Sequence, residues 1–236
     1  MTRLLQKYFR SLLPGFFVVT AALLSAGMAF AHGVAESDQA FVKDAVGVQI
    51  VPFIYLGAKH MVTGYDHLLF LLGVIFFLYK LKDVALYVTL FAIGHSSTLL
   101  FGVLAGLHVN PWLVDAVIGL SVVYKALDNL GAFRTLIGFE PNAKLAVLFF
   151  GFFHGLGLAT KLQDLQLSDD GLVANMIAFN VGVEIGQFLA LGAILIVMNY
   201  WRRTASFLRH AYVTNVLLMT AGFVLTGQQL AGYFLG

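Results

Sequence analysis

HMVTGYDH, residues 60–67, runs directly into LLFLLGVIFFLY, residues 68–79. Two histidines and a carboxylate stand where an apolar run begins to enter a bilayer. An ionisable side chain at bilayer depth costs roughly 2.5–3.5 kcal/mol on insertion scales, so such a placement calls for a compensating role. The feature recurs along the chain: later hydrophobic segments carry His95, Asp115, Lys125, His154 and Glu184.

The whole composition agrees with a membrane setting. Of 236 residues, 60% are hydrophobic and only 11% charged, with mean hydropathy +0.88. Soluble chains carry about 25% charged residues. This deficit and the long apolar runs indicate a polytopic membrane protein, and a net charge of +2 argues against nucleic acid as a partner. There is no cysteine, which excludes disulfides, thiolate metal sites, iron–sulfur clusters and cysteine nucleophiles. No GxxxxGK[ST] loop is present, which argues against ATP-driven pumping by this chain alone.

Arg3, Lys7 and Arg10 precede an apolar stretch at 12–24, and Ala29-Phe30-Ala31 forms a small-x-small cleavage site. Residues 1–31 therefore read as a cleavable signal peptide, with an uncleaved signal anchor as the alternative. Cleavage after Ala31 leaves His32 at the mature N-terminus, where its amine and imidazole can chelate a divalent metal together; a solvated, flexible terminus is the other reading. Residues 32–236 form a single membrane domain. Its external lead-in, 32–63, contains an apolar helical stretch at 46–63 that either lies at the outer surface or packs on the bundle and completes the first span. The expected fold is all-α, a polytopic membrane helix bundle. Six transmembrane helices are expected near 64–80, 84–106, 111–131, 142–162, 172–201 and 207–234.

Orientation follows from charge. Lys80, Lys82, Arg134, Arg202, Arg203 and Arg209 fall in loops on one side, and Asp164, Asp169 and Asp170 on the other, so the basic side is predicted to be cytoplasmic and both mature termini external. Six spans also divide into two sets of three of opposite orientation, a possible 3+3 inverted repeat. The first set carries His67, His95 and Asp115, the second His154, Glu184 and Gln228.

The polar residues in these spans are candidate metal ligands. On a continuous helix His60 and His67 would share a face two turns apart, with Asp66 beside them as a ligand or as an acceptor orienting an imidazole. Gly64 allows a bend or a close helix contact. His95, in GHSST, sits near mid-span, with Thr98 one turn on. Asp115 lies near the outer end of the third span, whereas Lys125 and Asp128 read as a local i,i+3 pair. His154 stands between Gly151 and Gly155, a small-residue face that suits close helix packing. Asn180, Glu184 and Gln187 share a stripe, and Glu184 is expected either as a ligand or as a proton-coupled carboxylate. Imidazole and carboxylate together suit Ni²⁺, Co²⁺, Zn²⁺ or Cu²⁺. Ordinary roles compete at each position: a snorkelling polar residue, a helix-dipole acid, an interhelical hydrogen bond.

These motifs resemble the HupE/UreJ family of bacterial membrane proteins. The family pattern HPxxGxDH is matched by His60, Gly64, Asp66 and His67, with Met61 where the family has proline. GHSST, VYKALDN, FFHGLG and FNVGVEIGQ resemble the branch with DHLLFLL after the motif, and the likeness covers nearly all of the mature chain. It implies a six-span protein of the bacterial inner membrane with a cleaved signal, associated with nickel or cobalt uptake for metalloenzyme maturation. The HX4DH motif of a separate nickel/cobalt permease family is absent.

The reading that follows is a secondary transporter or facilitator of a divalent transition metal, nickel first and cobalt next. The metal is cargo, and no prosthetic group is expected. Capture falls to His60, Asp66 and His67, with His32 and Asn180 as further candidates, and passage to His95, His154 and Glu184, with Asp115 assisting. A membrane-embedded metalloenzyme is an alternative, although no HExxH motif is present. A non-transporting assembly factor for a metalloprotein system is another. The expected partners are the lipid bilayer and the metal ion, with a homo-oligomer or maturation partners open.

Overall fold

Helices account for almost all of the described residues, 36–235 of this computed structural model, and short turns join them. The expected signal peptide and His32 lie outside the described residues. In chain order the helices are α1 Glu36–Asp44, α2 Ile50–Thr63, α3 Tyr65–Ile75, α4 Leu81–Leu104, α5 Pro111–Asn129, α6 Ala132–Ile137, α7 Ala143–Asp164, α8 Leu172–Arg202 and α9 Ser206–Leu235. Local chemistry starts several of them. Asn110 accepts from the Leu113 N–H at 3.2 Å with Pro111 in the first turn of α5. Asn142 accepts from Lys144 and Leu145 at the start of α7. Both are amide N-caps that satisfy otherwise orphaned helix N–H groups.

Four helices, α4, α7, α8 and α9, are long and apolar enough to cross a membrane. The 19-residue α5 carries Asp115, Lys125 and Asp128. The expected span at 64–80 appears as the 11-residue α3, and the preceding 14 residues form α2. At 1.5 Å per residue neither covers a core of roughly 30 Å alone, but the two in succession do. Between them Gly64 is extended, with φ −71° and ψ 98°, so the helix is interrupted at this point.

Of the two placements open for 46–63, the structure shows α2 packed lengthwise along α8. A Cβ at Gly182 would lie 2.0 Å from the Ile54 carbonyl oxygen, and one at Gly57 2.0 Å from that of Phe179. These are backbone-to-backbone contacts that only glycine permits. The same arrangement occurs a second time. α4 packs along α7, where a Cβ at Gly94 would lie 2.5 Å from the Leu148 oxygen and one at Gly151 2.5 Å from that of Phe91. The shared residues are Gly57-x-x-His60 against Phe179-x-x-Gly182, and Gly151-x-x-His154 against Phe91-x-x-Gly94. A third seam joins α5 to α9, where Gly119 meets Thr226 and Gly222 meets Val123.

Directions follow from which residues meet. Ile54 meets Gly182 and Ala58 meets Gly186, so α2 and α8 run the same way. Phe91 meets Gly151 and Ala159 meets Gly102, so α4 and α7 also run the same way. Gly119 meets Thr226 while Val123 meets Gly222, so α5 and α9 are antiparallel.

Gly57→Ala places a methyl group against the Phe179 carbonyl and is expected to cost about 1–3 kcal/mol through overpacking. Gly192→Ala on α8, where nothing lies within 4 Å, is the control and should be neutral or slightly stabilising. Thermal unfolding of the purified protein in detergent reads both.

Candidate metal centre

Where α2 ends and α3 begins, the chain turns inside the bundle instead of at its surface. His60, on the last turn of α2, and Asp66 and His67, on the first turn of α3, are all buried. The continuous-helix expectation placed the two imidazoles two turns apart. The break at Gly64 displaces α3 from the line of α2 without reversing it, since α3 ends beside Arg202 at the far end of α8, and the rings of His60 and His67 approach to 5.0 Å between centroids. Glycine is needed here for space: a Cβ would lie 2.9 Å from His67 Nδ1 and 3.2 Å from Asp66 Oδ1. Asp66 also sits in the first turn of α3, at the positive end of the helix dipole.

Two further helices complete the cluster. His95 comes from α4 and His154 from α7, each with about 1% of its surface exposed. Ring centroids lie 5.7 Å apart for His67 and His95, and 4.7 Å apart for His67 and His154. Asp66 Oδ2 is 3.1 Å from His67 Nδ1 and 3.8 Å from His154 Nδ1. Two triads capable of holding a cation share His67: His60, His67 and His95, and Asp66, His67 and His154. Within each, the donor atoms lie within 4.8 Å of one another. Donors bound at about 2.1 Å to one ion are at most about 4.2 Å apart, so a small contraction of side chains suffices to close a shell. Four imidazoles and one carboxylate, without thiolate, match the borderline ions Ni²⁺, Co²⁺, Zn²⁺ and Cu²⁺.

The surroundings are dry and aromatic. Phe91 faces His67, His95 and His154, Phe70 packs on His154, and Phe179 on His60. Both ring nitrogens of His95 are buried and lack a hydrogen-bond partner among the described residues. An unsatisfied buried polar group costs about 1–3 kcal/mol, a cost that a bound cation would offset.

Ser121 on α5 adds an element that sequence reading missed. Its fully buried hydroxyl donates to the Ile118 carbonyl at 2.6 Å and lies 3.3 Å from His154 Nε2. A hydroxyl has one proton, so with that proton on Ile118 the imidazole must be the donor to Ser121. His154 then carries its proton on Nε2 and offers the Nδ1 lone pair towards Asp66 and His67. Such an outer partner fixes the tautomer and orientation of a ligating imidazole. A serine in an apolar helix ordinarily bonds its own backbone, as Ser121 also does, and that habit hides it in a sequence.

The remaining candidates stand apart from the cluster. Asp115, buried on α5, pairs with Lys161 on α7 at 2.6 Å. Asn180 is buried but donates to its own helix at Met176. Glu184 is exposed on α8, in a stripe with Val181, Ile185 and Phe188. Its expected stripe-mate Gln187 turns inward and donates to the Val88 carbonyl of α4. Thr98 donates to Phe152 across the α4–α7 seam. Lys125 and Asp128 form the local pair expected of them.

A family model described as HupE / UreJ protein matches residues 36–236, and the chain belongs to that family. Membership implies a membrane protein related to nickel or cobalt transport. No curated protein and no solved structure gives a significant match.

Ser121→Ala removes the acceptor for His154 and should weaken Ni²⁺ binding about 10-fold or more. Equilibrium dialysis of the purified protein measures this, and an unchanged affinity would remove Ser121 from the site.

Proposed function

We propose that this HupE/UreJ protein is a secondary transporter or facilitator of a divalent transition-metal ion, with Ni²⁺ as the first expected cargo and Co²⁺ as the next. The observation that carries the reading is the convergence of His60, Asp66, His67, His95 and His154 in one buried, aromatic-walled cluster. Family membership supports the choice of metal. Buried ionisable residues in a membrane bundle generally mark an ion path.

In this proposal the chain crosses a bacterial inner membrane six times. α2 and α3 together make the first crossing, and α4, α5, α7, α8 and α9 make the rest. A cleaved signal peptide precedes them. The charge distribution supports a cytoplasmic side at Lys80, Lys82, Arg134, Arg202, Arg203 and Arg209, with both mature termini external. The paired packings of α2 with α8 and α4 with α7, and the antiparallel α5–α9 seam, support a 3+3 inverted repeat. This architecture places cargo sites near the midplane of transporters and uses broken helices to build them. Gly64 supplies such a break.

The donors divide by position. Asp115, one end of the Lys161 pair, lies two helical turns outward of Ser121 and is assigned to assist cation entry. His32, four residues before the described helix α1, is assigned with Asn180 to accessory capture. Glu184 joins only if α8 rotates about its axis, so it is assigned to a conformation other than the one described. Loading neutral imidazoles displaces protons, which ties binding to pH.

Accumulation of labelled Ni²⁺ and Co²⁺ in cells lacking their own nickel uptake tests the proposal. At equal expression, His67→Ala and His95→Ala should each lower accumulation about tenfold or more, the scale of a lost ligand or its support. Glu184→Gln should reduce it if α8 rotates. Accumulation indistinguishable from that of cells without the protein would sink the transport reading for these metals.

A further inference from the structure

The floor of the cluster is aromatic. Phe70 and Phe91 lie 5.4 Å apart between ring centroids, and both reach His154. Below them a narrow apolar cavity extends from His67 along α3, α4 and α7, past Val88 and Val147, to Tyr87. Tyr87 is eight residues from His95, about 12 Å along α4 towards the basic end of the bundle. Within electrostatic range of its hydroxyl is Asp128. The Asp128 carboxylate is occupied by the ammonium of Lys125, whose stem packs on Gly73 of α3. Lys125 is only 6% exposed. Asn129 donates both to the Gly73 carbonyl and to Asn215, so α3, α5 and α9 are joined at this level. A half-buried ion pair thus stands on the inward side of the candidate cation site, and the cavity ends at Tyr87, beside it.

We infer that a cation leaves the histidine cluster along the α3–α4–α7 seam, and that Asp128 is the carboxylate that receives it, held until then by the Lys125 ammonium. The inference rests on the transport reading above. The chemistry of the lining sets the order of events. A bare divalent ion cannot occupy a cavity walled by carbon, because nothing there replaces its water or its ligands. The route is therefore shut in this conformation. It opens when Phe70 and Phe91 part and the seam fills with water. Lys125 adds a like-charge barrier at the far end, and its movement off Asp128 exposes the first anionic group inward of Asp66. No bond forms or breaks beyond exchange of one cation for another at the carboxylate.

Val147 and Val88 line the seam from different helices, and neither belongs to the donor set. Protein reconstituted in vesicles loaded with a Ni²⁺-quenched dye reports flux, and equilibrium dialysis of Ni²⁺ against the same preparations reports binding. Val147→Phe and Val88→Phe should cut flux about tenfold while leaving the Kd within about twofold, the pattern of a lost step after binding. Asp128→Asn should lower flux several-fold with binding again intact. Val147→Ala, which enlarges the cavity and is the easier variant to fold, should raise flux. Wild-type flux in either folded phenylalanine variant, or in Val147→Ala, overturns the route, and wild-type flux in Asp128→Asn overturns the acceptor. Absence of Ni²⁺ binding by the wild-type protein would instead defeat the cluster as a cation site, so the two failures are told apart.

Discussion

Where Gly57 lies against Phe179 and Gly151 against Phe91, two helices touch through their backbones, and the depth of those contacts positions His60, His95 and His154, three of the four histidines of the centre. His60 and His154 each follow such a glycine by three residues, so each projects from a helix already seated in its partner. In lipid there is no hydrophobic force between helices to draw them together, and close van der Waals packing takes its place. Small residues are the means. Were these helices to stand apart by the width of one methyl group, the imidazoles they carry would no longer converge.

The cluster then combines two demands that conflict in most folds. A cation site needs several lone pairs directed at one point, and a bilayer interior penalises each of them while the point is vacant. The structure limits the penalty by local pairing. Asp66 serves His67, Ser121 serves His154, and the N-terminal dipole of α3 serves Asp66. His95 is left with no such support among the described residues. It is the group with most to gain from an arriving ion.

Much of this architecture was legible in the residues. Hydropathy and charge indicated an all-helical membrane chain, and HMVTGYDH, GHSST and GFFHGLG marked helices that do meet. Other features depend on relations that no local pattern carries. The short α3 left it unclear whether 46–63 lay on the surface or inside, because the answer sits in Gly182 and Gly186, more than a hundred residues away. Glu184 and Gln187 share a helical stripe on paper, yet packing against α4 draws Gln187 inward and leaves Glu184 outside. The GxxH pair was readable at His60 and His154, but its meaning appears only when both glycines are seen to perform the same contact. Ser121 could not be picked out, since the bond it makes to its own helix is what any membrane serine makes.

The two GxxH helices have a consequence for direction. A bundle whose halves packed identically would look the same from either face and would have no preference for moving an ion one way. Whatever polarity this molecule has must come from positions where the halves differ. Overlaying Gly57 on Gly151 and Gly182 on Gly94 sets His95 against Val183, and overlaying Gly119 on Gly222 sets Ser121 against Val224 and Lys125 against Gln228. The first overlay also sets Asp66 against Thr160 and His67 against Lys161, and the break at Gly64 has no equivalent in the continuous α7, so the two GxxH seams differ chiefly in the polar side chains and the helix break around them.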